Sequence, residues 1–130
     1  MLVPAVSAQA PLVTVDVYPS RDGTLYQDAT GSIANGSGPQ LFVGLTGGPS
    51  ARRTLLAFAV QGQVPAHAHV IGAELLLNVS RAMGPTLMTV TLHRVTGGDW
   101  GEGASVAPGE GGSGAPAQAG DCTWLHRFYP

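Results

Sequence analysis

The segment that decides the fold is Arg52–Ser80, RRTLLAFAVQGQVPAHAHVIGAELLLNVS, in which a polar link containing Pro65 joins two apolar runs. The first run carries its larger apolar side chains on alternate residues, namely Leu56, Phe58 and Val60. This is the side-chain period of a β-strand, and the smaller apolar residues in between indicate that both faces are at least partly covered. Proline fits poorly inside a central ladder, so Pro65 predicts a bend between two strands.

The second run, 70–80, predicts a strand with one buried face. Its odd positions are all apolar: Ile71, Ala73, Leu75, Leu77 and Val79. Most of the even positions are polar or glycine, which is typical of an antiparallel strand with one face on the core and the other in water. The segment 87–95 alternates as well, and its inner face would hold Met88, Val90 and Leu92. We therefore expect 54–60, 70–80 and 87–95 to be neighbouring strands whose apolar sides meet a second layer.

The rest of the chain predicts shorter strands separated by turns. Val13–Tyr18 alternates cleanly and reads as the first strand. The polar stretch Ser20–Gly38 is rich in turn-forming residues and predicts a long loop, with one short strand at Thr24–Gln27. Leu41–Leu45 predicts a further short strand before a glycine-proline turn. These patterns together predict an all-β, antiparallel domain.

Size and composition exclude several classes of protein. The 130 residues fit one domain, 11–130, and 19 glycines with 10 prolines favour short strands over a helical bundle. Six basic residues against eight acidic ones give a net charge of −2, so there is no basic field for a nucleic acid. No apolar run approaches the roughly 20 residues that a membrane-spanning helix needs.

The N-terminal ten residues bear on localisation. Met1–Ala10 is mostly apolar and ends in Ala8-Gln9-Ala10, the A-x-A pattern of a signal-peptidase site. It is too short for a whole signal peptide, so 1–10 is either the remnant of an export signal or an N-terminal tail. The single Cys122 cannot form an internal disulfide and is expected to be a small buried apolar residue.

A glycine-rich segment, 97–120, is expected to be one long loop. It contains few large apolar residues and cannot pack a core of its own. The run Gly109–Gly114 formally matches G-x-G-x-x-G, but no strand precedes it and Pro116 follows. A dinucleotide site needs a helix N-terminus at that point, so the match carries no cofactor prediction.

The chain resembles the DNRLRE-domain family, which comprises secreted bacterial β-sandwich modules related to carbohydrate-binding modules. The resemblance lies in the two arginines, the LLAFAV strand, the V-P-A turn and the A-x-L-x-L strand of the central segment, and in Asp22–Tyr26, Asp99–Gly103 and Trp124–Arg127. It implies a jelly-roll type β-sandwich, export to the cell exterior and carbohydrate recognition. Members continue through further strands with an R-F-x-S-R-E segment that this sequence lacks. We therefore expect an incomplete sandwich that a neighbouring chain could complete.

Candidate ligand-binding residues are Trp100, Trp124 and Tyr26, because an aromatic face can stack on the apolar face of a pyranose. Each of them could equally be a core residue. Candidate metal ligands are Asp22, Asp28 and Asn35, whose oxygens could hold a structural calcium ion. Aspartates are also common in turns for their own backbone hydrogen bonds, so that reading stays open.

The sequence favours a protein that is not an enzyme. It contains neither a G-x-S-x-G elbow nor an H-E-x-x-H motif, and its carboxylates show no spacing that argues for a catalytic pair. His67 and His69 form an H-x-H pair without a third ligand nearby in sequence. The expected function is an extracellular, non-catalytic binding or adhesion module with a glycan as partner. The alternative is a structural subunit that self-assembles through open sheet edges into a fibre or surface layer.

Overall fold

The computed structural model describes residues 11–45, 49–82 and 88–130, and all structural statements refer to these ranges. They form one antiparallel sheet of five strands and no helix. The strands are β1 Pro19–Tyr26, β2 Ile33–Asn35, β3 Gly44–Leu45, β4 Ala51–Phe58 and β5 Ala115–Pro116. Their order across the sheet is β3-β4-β1-β2-β5. The prediction of an all-β, antiparallel fold is confirmed.

The centre of the sheet is the long pairing between β1 and β4. It runs from Pro19 opposite Phe58 to Tyr26 opposite Arg52, with an irregularity between Pro19 and Arg21. The strand predicted over 54–60 is thus confirmed in β4, which begins and ends slightly earlier. The strand predicted at Thr24–Gln27 corresponds to the end of β1. β1 is longer because it begins earlier, at Pro19, and a strand tolerates proline as its first residue.

Three predicted strands are wrong in the parts of the chain that the structure describes. Residues 13–18, 70–80 and 88–95 lie outside every strand, and residue 87 lies outside the described residues. No backbone hydrogen bond joins 70–82 or 88–96 to another described residue. An alternating pattern suits a segment to form a strand, but a strand also needs a second strand with which to exchange backbone hydrogen bonds. These segments have no such partner among the described residues.

The apolar side chains of these segments do not meet a second layer. Leu75 is 37% exposed, Leu77 62%, Val90 60% and Leu92 80%. In addition, the strand predicted at 41–45 is reduced to the two residues of β3. We refer to 70–80 and 88–95 below as the unpaired segments.

The core lies between the sheet and the glycine-rich segment 97–120, which includes β5 and packs against the sheet rather than forming a core of its own. Its largest apolar member is Trp100, and Ala107 and Ala115 are also buried. Ser105 supplies one backbone carbonyl that accepts hydrogen bonds from the N–H groups of Gly36 and Ser37, each at 3.0 Å. Close approach of backbone to backbone replaces large side chains here, which explains the glycine content.

The described residues include no helix of the length and hydropathy that crossing a bilayer requires.

Candidate functional site

One groove lies between the central strands and the second unpaired segment. It has a volume of about 780 Å³. Leu56 and Ala57 of β4 form one side, and Leu92 to Val95 form the other. Arg21, Asp99 and Trp100 also line it. The groove therefore combines an apolar lining with cationic and anionic groups, as a site for a polar ligand requires.

Arg21 organises the part of the groove that Asp99 and Trp100 line. Its guanidinium lies over the Trp100 ring at 5.0 Å and contacts the Asp99 carboxylate at 2.7 Å. It also donates to the backbone carbonyl of Trp100. The hydrogen bond from Arg21 lowers the pKa of Asp99 below its ordinary value. Arg21 thus fixes the loop that carries Trp100 against β1.

All three predicted ligand-binding aromatic residues carry an arginine on one face. Besides Arg21 over Trp100, Arg52 lies over Tyr26 at 4.6 Å and Arg53 over Trp124 at 4.8 Å. Successive side chains of a strand point to opposite faces, so the adjacent pair on β4 serves two aromatic rings on opposite sides of the sheet. Each contact is a cation–π interaction that contributes about 0.5 to 2 kcal/mol. The faces that would stack on a sugar are therefore partly occupied from within the chain.

The burial of the three aromatic residues differs. Trp100 and Tyr26 are buried, whereas Trp124 is half-buried. The Tyr26 hydroxyl donates to the carbonyl of Gly111 at 2.7 Å, and burial raises the pKa of this tyrosine to about 12. Only Trp100 lines the groove. The structure does not bring the three rings together into a single platform, and a role for any of them in ligand binding stays a prediction.

Two of the three predicted calcium ligands use their oxygens in hydrogen bonds within the chain. The Asp28 carboxylate accepts hydrogen bonds from the Ser32 N–H and the Thr30 hydroxyl, both at 2.8 Å, and the first of these is the main reason that its pKa is lowered. It thus serves the turn geometry that the sequence allowed as an alternative for the aspartates. The Asn35 side chain accepts from the N–H of Ala107 in the glycine-rich segment at 2.9 Å and donates to the carbonyl of Gln40.

The third predicted ligand, Asp22, lies next to Glu102 rather than in a loop. The backbone N–H of Asp22 donates to Glu102 Oε1 at 3.2 Å. Burial raises the pKa of Asp22, and the like charge of Glu102 raises it further. Within the described ranges, no group of three histidine, cysteine, aspartate or glutamate side chains has the geometry of a metal site. A structural calcium ion stays a prediction.

Sequence reasoning missed the residue that ties the glycine-rich segment together, Asp121. It is fully buried, and its carboxylate accepts from the N–H of Ser105 at 3.2 Å and from the N–H of Gln118 at 2.6 Å. Buried carboxylates need such donors because desolvation is costly. A signal existed in the sequence, since Gly120-Asp121 follows a segment with few other polar anchors, but one sequence cannot show which donors it meets.

Cys122 confirms the prediction of a buried apolar residue. It is buried, and its Sγ lies 3.1 Å from the position that a Cβ on Gly23 would take. Burial raises the pKa of the thiol to about 11, and the nearby carboxylates of Asp121 and Glu102 add to the effect. The thiol is therefore held in its unreactive protonated form at neutral pH.

We expect Cys122 to react about 100-fold more slowly with a disulfide reagent in the folded chain than in the denatured chain at pH 8. The reason is that a pKa of about 11 rather than 9.0 leaves about one hundredth as much thiolate. Absorbance after mixing with an aromatic disulfide, with and without guanidinium, measures both rates. An exposed cysteine introduced by Ala119→Cys in a Cys122→Ala background is the control and should react equally fast in both states.

The unpaired segments are the second candidate surface. They expose leucine, valine, isoleucine and methionine side chains, including the consecutive Leu75, Leu76 and Leu77. Arg81, which directly follows the first unpaired segment, forms an exposed ion pair with Glu110 of the glycine-rich segment. Exposed apolar patches that are larger than a few hundred Å² usually mark interaction sites. The surface therefore suits a partner that supplies both apolar side chains and backbone hydrogen bonds.

Comparison with known proteins leaves these two surfaces as the basis for any functional argument. No family model, curated protein or solved structure matches the chain.

Proposed function

We propose that the protein is a non-catalytic extracellular β-module that associates with further copies of itself. The observation that supports the proposal is the pair of unpaired segments, whose backbone groups and apolar side chains lack partners among the described residues. Unpaired strands accept strands from other chains because backbone hydrogen bonds and burial are gained together. Association would complete the fold as a sandwich of jelly-roll type with strands from a neighbour. Repetition would build a fibre or surface layer of exported subunits.

We expect the purified chain to show a mass above 13.2 kDa that rises with concentration. The replacement Val90→Asp should weaken association about 10-fold or more, because a carboxylate would have to be buried in the contact. Light scattering coupled to size-exclusion chromatography measures both effects. Val106→Asp is the matched control, since Val106 is also exposed but lies outside the unpaired segments. A strictly monomeric wild-type chain at all concentrations would contradict the proposal.

A glycan-binding module is the second candidate function, and the groove favours it. The side chains of Arg94 and Asp99 can donate to and accept from sugar hydroxyls beside Trp100. We expect a soluble polysaccharide to bind with an affinity that falls several-fold in Arg94→Ala and is unchanged in Arg81→Ala, since Arg81 is exposed and lies outside the groove. Isothermal titration calorimetry against a panel of polysaccharides tests this. Equal affinities for the two variants would place the sugar elsewhere, and failure of every polysaccharide to bind would refute this function.

A further inference from the structure

We propose that residues 13–17 of one copy pair as a β-strand with residues 88–92 of a second copy. This inference rests on the proposed function, because it names the two segments through which copies would meet. Both segments lie outside every strand of the sheet. Of their six apolar side chains, Val17 is half-buried and the other five are exposed: Val13, Val15, Met88, Val90 and Leu92.

The two segments match in pattern and length. Val13-Thr14-Val15-Asp16-Val17 and Met88-Thr89-Val90-Thr91-Leu92 both place apolar residues at the first, third and fifth positions. When the centres are aligned, Val15 lies opposite Val90 whether the strands run parallel or antiparallel. All pairings of the sheet are antiparallel, and that direction would also set Thr14 opposite Thr91. Aligned β-branched and threonine pairs stabilise a pair of strands.

Charge favours 88–92 over the other unpaired segment as the acceptor. The outer face of 70–80 holds Glu74 and the apolar Leu76, so pairing there would bring Asp16 close to a like charge or to a leucine. Like charges that lie opposite each other destabilise a strand pair. In the second unpaired segment the outer face carries threonines and is followed by His93 and Arg94. In the antiparallel register Asp16 lies opposite Thr89, where no like charge faces its carboxylate.

The area fits a weak, reversible pair of copies. In a two-fold exchange, each copy donates 13–17 and accepts at 88–92. Four of the six apolar side chains in each contact can lose about 100 Å² of exposed surface, whereas Val15 and Val17 have roughly half as much to lose, so roughly 1,000 Å² is buried in total. That value lies just below the range for stable specific interfaces and suits an association that depends on concentration. No backbone hydrogen bond joins the two segments within one chain, so the second copy is the occupant that we infer.

Disulfide trapping between two single-cysteine proteins tests this pairing. In a Cys122→Ala background, one copy carries Val15→Cys and the other, which has a mass tag, carries Val90→Cys. Both positions are exposed in the single chain, so neither replacement disturbs the core. After mixing and mild oxidation, we expect a mixed disulfide dimer on a non-reducing gel. Thr14→Cys replaces Val15→Cys in the control, since it would point to the opposite face from Val90.

The outcomes separate this inference from the proposed function. A mixed dimer that forms at least 10-fold faster with Val15→Cys than with Thr14→Cys supports the pairing. If light scattering shows assembly but the two cysteines react alike, the copies meet through other segments, and this inference is overturned while the proposed function stands. If light scattering shows only monomers, the proposed function fails and the pairing fails with it.

Discussion

Gly103→Ala is expected to lower the free energy of unfolding by about 3 to 5 kcal/mol. Gly103 has a φ of 74°, a conformation that side chains other than glycine rarely adopt. A Cβ would also lie 2.6 Å from the Cα of Asp121 and would overlap its carboxylate. Backbone strain and steric overlap therefore both lower the free energy of unfolding, at the point where the glycine-rich segment folds around the buried Asp121. Urea unfolding of both chains at one fixed concentration measures the difference.

Gly120→Ala is the matched control for this prediction. Gly120 has a φ of 88°, but nothing lies within 4 Å of the position of its Cβ. Gly120→Ala should lower the free energy of unfolding only through backbone strain, by about 1 to 2 kcal/mol. If both variants lose the same amount, the close packing of Gly103 on Asp121 is not what stabilises this region.

Asp121→Asn is expected to lower the free energy of unfolding by about 2 to 3 kcal/mol. Both carboxylate oxygens accept backbone hydrogen bonds, from Ser105 and Gln118. An amide has only one oxygen, so in either orientation its NH₂ group faces a buried N–H donor. The lost bond and the unsatisfied donor both reduce stability, whereas the shape of the side chain is kept. Chemical unfolding followed by tryptophan fluorescence measures the loss.

Asp99→Asn provides the comparison for this second variant. Asp99 is exposed and its ion pair with Arg21 lies in water, so its replacement should change stability much less. A larger loss in Asp99→Asn than in Asp121→Asn would show that the Arg21 contact, rather than the buried carboxylate, holds the glycine-rich segment in place.

The fold class was predictable from the sequence, whereas the pairing of the strands was not. Alternation in 54–60 correctly indicated β4 because residues 54–58 have a partner strand in β1. The same pattern in 70–80 and 88–95 indicated strands equally strongly, but periodicity reports only the capacity for a half-buried strand. Whether a ladder exists depends on a partner, and a single sequence does not name one.

β1 was largely missed for the opposite reason. Its segment, Pro19–Tyr26, reads as polar and turn-like because it contains arginine, aspartate and glycine. Arg21 is accommodated by stacking on Trp100, 79 residues away in the chain, and Thr24 is buried. Contacts of such separation override local propensity, and propensity alone cannot reveal them.

The candidate site was only partly predictable. Trp100 was identified as a candidate and does line the groove, but its partner Arg21 was not. The opposite directions of Arg52 and Arg53 follow from strand geometry, so an aromatic partner for each could have been sought once β4 was assigned. The proximity of Asp22 to Glu102 depends on how the glycine-rich segment returns to β1, which the sequence does not specify.

The composition of the core also bears on how the fold responds to temperature. The side chains buried between the sheet and the glycine-rich segment are mainly small or polar, such as those of Ala34, Thr24 and Ser105. Exposing polar surface lowers the heat capacity, whereas exposing apolar surface raises it. Melting this domain should therefore give a smaller heat-capacity increment than its length suggests, and its stability should vary only gently between cold and warm conditions.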